Sequence, residues 1–82
     1  MQPKEAFGLT IRRLRKECGK TQETLAHETA LSLTSLARIE TGHQEVRFGT
    51  ILRLAEALEM KGQELVAHVE DTIRRAPKAK KL

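Results

Sequence analysis

Aromatic side chains are nearly missing from this sequence. Phe7 and Phe48 are the only two among 82 residues, and Trp and Tyr do not occur. Leu, Ile, Val and Ala must therefore fill whatever core the chain builds, and a hydrophobic fraction of 39% suffices for one small domain. A single cysteine, Cys18, excludes an intramolecular disulfide framework and fits a reducing cytosol. No apolar run is long enough to cross a membrane, and the N-terminal residues lack the apolar centre of a secretory signal. The expected location is therefore cytoplasmic.

The residues that carry chemistry are also sparse. Cys18, His27, His43 and His68 match no zinc-ligand spacing and fall in different segments, so no metal is expected. Cys18 reads as a small member of an apolar stripe, and His27 and His68 as exposed helix residues. Glu23, Glu28, Glu56, Glu59 and Glu64 pair with no base in a pocket, and no glycine-rich phosphate loop occurs. Neither catalysis nor a cofactor is expected.

Charge is present and unevenly spread. The net charge is +4, with a pI near 9.6. Residues 1–20 hold six bases against Glu5 and Glu17, residues 21–76 hold six bases against nine acids, and Lys78, Lys80 and Lys81 make the tail basic. This asymmetry permits nucleic-acid binding without requiring it.

Nearly every segment has the 3.6-residue period of an amphipathic helix, and none alternates like a strand. The first helix is expected from Lys4 to Cys18, with Phe7, Ile11, Leu14 and Cys18 inward and Gly19 as its cap. Thr21 is a good N-cap for a second helix carrying Leu25, Ala26 and Thr29 inward. Ser32 caps a third, with Leu36 and Ile39 inward and Gly42 at its end. A fourth helix, Phe48 to Glu59, is expected to bury Phe48, Ile51, Leu52, Ala55 and Leu58. A fifth, Gln63 to Arg75, presents Leu65, Val66, Val69 and Ile73, and Pro77 closes it. The architecture expected is all-α: a compact five-helix domain over residues 1–76, with a basic, disordered tail at 77–82.

Burying Leu36 and Ile39 leaves Leu33, Thr34, Ala37 and Arg38 on the outer face of the third helix. That face is narrow and short-chained, with one long bidentate donor, which suits entry into the major groove of DNA. The short break after the second helix lets the third cross it steeply and project that face.

The segments FGLTIRRLRKECGKTQETLA, ALSLTSLARIETG and TILRLAEALEM, in this order and spacing, resemble the phage-repressor-type (Cro-like, XRE) helix-turn-helix family over about residues 7–66. The resemblance implies a lambda-repressor-like DNA-binding fold and assigns roles by position. Thr21 and Gln22 open the second helix at a backbone phosphate. Ser32, Leu33, Thr34 and Arg38 fall at base-reading positions; Arg38 suits the O6 and N7 of guanine, and Leu33 a thymine methyl. His43, Gln44 and Arg47 are left to grip phosphate from the loop. Arg15 and Glu40 fall where family members often carry a scaffold ion pair.

This chain departs from the family pattern at three places. Ala30 stands where glycine is usual in the turn, costing about 1 kcal/mol if left-handed. Lys20 replaces an apolar residue before Thr21, its stem laid across the core edge. Glu45 and Val46 dilute the usually basic loop, weakening the non-specific electrostatic grip.

On the fifth helix, Val66, Val69 and Ile73 continue past the point where one small bundle can cover them. Either they pack back on the fourth helix or, with Leu65, they form an isologous homodimer seam; the family habit and the leftover apolar surface favour the seam. The function expected is a sequence-specific transcriptional regulator that binds double-stranded DNA, a palindromic operator, in the nucleoid and without a membrane. It is expected to be an autoregulating repressor or a controller protein, resembling the stand-alone controllers of restriction–modification systems. The alternatives are an antitoxin-type regulator with a partner toxin and a protein-interaction module of the same fold.

Overall fold

The computed structural model describes residues 1–77; the expected basic tail from Lys78 lies outside the described residues. Five helices follow one another: α1 Pro3–Glu17, α2 Gln22–Glu28, α3 Leu33–Glu40, α4 Phe48–Ala57 and α5 Gly62–Arg75. No strand occurs among the described residues. α1 lies along both α5 and α3, α2 packs on α3 and α4, and α4 packs on α5. One apolar core joins all five: Phe7, Ile11, Leu14, Leu25, Leu36, Ile39, Leu54, Leu58 and Leu65 are buried within it.

The starts and stops follow from local chemistry. Pro3 sits at the first position of α1, where its missing N–H costs nothing. The Oγ1 of Thr21 and the Oγ of Ser32 accept from the backbone N–H of Thr24 and Ser35, both at 3.0 Å. These bonds satisfy donors that the first turns of α2 and α3 leave free. Gly42 ends α3 with φ +77°, and its N–H returns to Ile39 O.

The inner faces of α2 and α3 are as expected: Leu25, Ala26 and Thr29, then Leu36 and Ile39, are all buried. Three other expectations need correction. α1 ends at Glu17, so Cys18 becomes its C-cap and is exposed, outside the apolar stripe. In α4, Phe48 is 75% exposed and Leu52 is 45% exposed; the core side is Thr50, Leu54, Ala55 and Leu58, with Ile51 half-buried. Two stripes are available in FGTILRLAEAL, sharing Ile51, Ala55 and Leu58. α4 uses the one through Leu54, which is fully buried in the core shared with Leu25 and Leu65, while Phe48 at the start of the helix is left exposed. In α5, Leu65 is fully enclosed by the chain's own core and has no surface to offer a second copy. Val69 is half-buried against that core, whereas Val66 and Ile73 stay exposed.

Gly8, in the middle of α1, lets α3 approach. A Cβ there would overlap the carbonyl oxygens of Ile39 and Glu40 at the end of α3. The absence of a side chain at Gly8 thus sets how closely the helix carrying Arg38 is held against α1.

Candidate nucleic-acid interface

α3 is anchored on one side and free on the other. Leu36 and Ile39 bind it to the core, leaving Leu33, Thr34 and Arg38 exposed in a row. Together with Gln22, Ala37, Thr41 and His43 they line an open groove of about 610 Å³. Of the nine residues expected to touch DNA, the groove therefore gathers Gln22, Leu33, Thr34, Arg38 and His43. Thr21 and Ser32 flank it as helix caps. Gln44 and Arg47 line a separate concavity beside Val46, Thr50 and Arg53. Thr41 was not anticipated as a groove residue, although it lies three and seven positions beyond Arg38 and Thr34, on the same helical face.

Hydrogen bonds order the groove's polar groups. Arg38 Nη2 donates to His43 O at 3.2 Å, which lays the guanidinium along the C-terminal end of α3. The His43 ring nitrogen Nδ1 and Thr41 Oγ1 are 2.9 Å apart. The Arg38 contact is a surface one, so the guanidinium can leave it for a stronger acceptor at little cost.

Beneath the groove lies a charged cluster. Arg15 grips Glu40 with two bonds, Nε to Oε2 at 2.7 Å and Nη2 to Oε1 at 3.1 Å. The paired side chains are only 10% and 2% exposed. Arg15 Nη1 also donates to Lys20 O at 2.9 Å, and Gln22 Nε2 donates to Glu40 Oε1 at 2.9 Å. One guanidinium and one carboxylate thus join α1, the loop before α2, the first residue of α2 and the last of α3. The ion pair expected at Arg15 and Glu40 is present, and the Gln22 bond to it was not foreseen.

The two departures from family pattern in the turns have physical accounts. Ala30 takes φ +59°, the left-handed region expected of a glycine. Lys20 does more than cover the core edge: Nζ donates to Ala57 O at 2.6 Å, at the end of α4, and to Glu28 Oε1 at 2.7 Å. An ammonium there satisfies a carbonyl that the helix leaves open and complements its dipole. Its hydrogen bond to the Glu28 carboxylate holds the Lys20 pKa above its ordinary value of 10.5, against the opposing effect of burial.

Among the described residues no cluster of His, Cys, Asp or Glu could hold a metal ion, and no helix is long and apolar enough to cross a membrane. The family described as "Helix-turn-helix domain" matches residues 6–69, which takes in all of α2, α3 and α4 and every residue that lines the groove. The chain belongs to the helix-turn-helix family. Members of this family are DNA-binding, non-enzymatic transcriptional regulators. The uncharacterized HTH-type transcriptional regulator y4dJ of Sinorhizobium fredii is 32% identical over 72 residues, covering 88% of this chain and 94% of that protein. The restriction–modification controller protein C.AhdI from Aeromonas hydrophila is 37% identical, with a TM-score of 0.73 over 76% of this chain and 94% of its own. The clp gene regulator ClgR from Corynebacterium glutamicum has the same fold, with a TM-score of 0.86 at 23% identity, covering 90% of this chain and 79% of its own. In this helix-turn-helix protein, α2 and α3 are the two short helices joined by a tight turn, and the outer face of α3 is exposed.

Proposed function

We propose that the protein is a stand-alone transcriptional regulator of controller type that binds a palindromic operator as a homodimer. The observation that carries this reading is the single groove lined by Gln22, Leu33, Thr34 and Arg38, a phosphate-side donor next to a row of base-reading side chains. Arg38 takes guanine O6 and N7, Thr34 bonds a neighbouring base edge, Leu33 packs on a thymine methyl, and Gln22 and His43 hold the backbone. Arg47 and Gln44, lining the separate concavity, bind flanking phosphate.

The dimer reading rests on Val66 and Ile73, exposed on the outer side of α5, with Leu52 exposed on the neighbouring α4. Such a seam sets the two α3 helices at successive major grooves about 34 Å apart. Phe48, 75% exposed, favours a second reading in which a protein partner docks on α4.

Selecting sites from a random duplex pool at near-physiological salt tests the function. A two-fold symmetric motif is expected. Arg38→Ala should then relax preference at one position per half-site by about 1–3 kcal/mol, with little change in melting temperature. Val66→Asp should give monomers in sedimentation with the core intact, since Val66 lies outside it. No enrichment with folded protein would favour the docked-partner reading.

A further inference from the structure

We infer that Glu40 is a positioning residue for DNA binding: its Oε1 fixes the Gln22 amide so that a donor, not an acceptor, faces the phosphate backbone. The inference rests on the reading of Gln22 as a phosphate contact and goes beyond the scaffold role of the Arg15–Glu40 pair.

The orientation follows from the chemistry of the groups. An ionised carboxylate only accepts hydrogen bonds, so the Gln22 atom 2.9 Å from Glu40 Oε1 has to be Nε2. With one Nε2–H spent on Glu40, the other remains free at the edge of the groove that Thr34 and Arg38 also line. An untethered Gln22 side chain would spread over several rotamers as well as both amide orientations, most of which present no donor to the phosphate, and ordering it on binding costs about 1–2 kcal/mol, roughly tenfold in affinity. The tether removes the wrong orientations before DNA arrives.

A carboxylate is a poor neighbour for a phosphate unless its charge is cancelled. Arg15 cancels it with two bonds from the side away from the groove, and Glu40, with its side chain 2% exposed, stays beneath Gln22. Arg15 further fixes Lys20 O, two residues before Gln22, so the backbone that carries the amide is held as well. The arrangement links the phosphate contact to the last residue of α3, and hence to the register of the base-reading face.

The test is a mutant cycle read by fluorescence anisotropy on a random-sequence duplex at low salt, where phosphate contacts dominate. Gln22→Ala should lower affinity about tenfold. Arg15→Met with Glu40→Leu replaces the buried pair by apolar groups of similar size, which such sites often tolerate. It should also lose about tenfold, and should lose nothing more in a Gln22→Ala background. Glu40→Gln keeps an amide oxygen that can accept from Gln22, so its affinity should stay within about twofold even where the melting temperature falls. Wild-type affinity in the apolar double variant overturns the positioning role, as does an equal loss with and without Gln22. A Glu40→Gln loss as large as that of Gln22→Ala counts against it too. If Gln22→Ala itself binds as wild type, the phosphate contact fails and the positioning role fails with it, a result separable from the others by that single variant.

Discussion

Gly8→Ala puts helix propensity and packing in direct opposition. Propensity alone makes the substitution favourable, since a glycine inside a helix costs roughly 0.5–1 kcal/mol relative to alanine. Packing opposes it. The added Cβ would overlap the carbonyl oxygens of Ile39 and Glu40, and the Glu40 carbonyl carbon lies 2.9 Å from it. These are backbone atoms at the end of a helix, so no side chain can swing aside, and α1 and α3 have to separate. Overpacking of this kind costs roughly 1–3 kcal/mol, and the rigidity of the neighbour puts this case at about 3. Subtracting the propensity gain leaves a net destabilisation of about 2 kcal/mol, a fall in melting temperature of roughly 8–16 °C for a domain of this size. Gly49→Ala is the control. Gly49 is exposed in the first turn of α4, with nothing within 4 Å of a built Cβ. There only propensity acts, and stability should rise by about 0.5 kcal/mol. Urea unfolding of both variants against wild type gives the comparison. A Gly8→Ala protein as stable as wild type, or more so, would refute the close approach of α3 to α1.

Other outcomes follow from the same contacts. Glu40→Ala strands the buried Arg15 guanidinium and should cost about 3 kcal/mol in chemical denaturation, while Arg15→Ala and Glu40→Ala together should cost far less than the sum of the two singles. Strict additivity would mean the pair contributes no coupling. Ala30→Gly relieves the left-handed strain at φ +59° and should stabilise by about 0.5 kcal/mol after the greater freedom of glycine in the unfolded chain is subtracted; a loss of stability would contradict the backbone assignment. Lys20 has a folded pKa above its unfolded 10.5, so its contribution is fully present below pH 10.5 and fades as pH rises through the higher folded value. The melting-temperature difference between wild type and Lys20→Met should accordingly hold steady from neutral pH and shrink only above pH 10.5; a difference that shrinks below it would show that the ammonium is not what Glu28 and Ala57 hold.

What could be read from the residues alone was what each helix says about itself. Leu25 with Ala26 and Thr29, and Leu36 with Ile39, give one apolar face each, so α2 and α3 could be oriented and the outward row of Leu33, Thr34 and Arg38 found without a structure. α4 failed that test because its sequence carries two apolar stripes sharing Ile51, Ala55 and Leu58. Choosing between them needs the core that Leu54 joins with Leu25 and Leu65, a property of neighbours rather than of the segment. α5 failed in a milder way: its stripe was right in period, yet Leu65 faces the core of its own chain while Val66 and Ile73 face outward. Gly8 was invisible for a different reason. A glycine inside a helix reads as a propensity defect, and its partners, the carbonyls of Ile39 and Glu40, are backbone atoms that any residue in those positions would present. The Arg15–Glu40 pair became legible only through the family resemblance, because nothing local to either residue points across 25 positions to the other. The Gln22 bond to the same carboxylate has no such precedent in the sequence reading. It exists because the end of α3, drawn close to α1 over Gly8, brings Glu40 beneath the start of α2. The residues proposed to touch DNA were thus easier to find than those proposed to aim them, since Leu33, Thr34 and Arg38 are marked by exposure on one helix and Arg15, Gln22 and Glu40 by contacts among three.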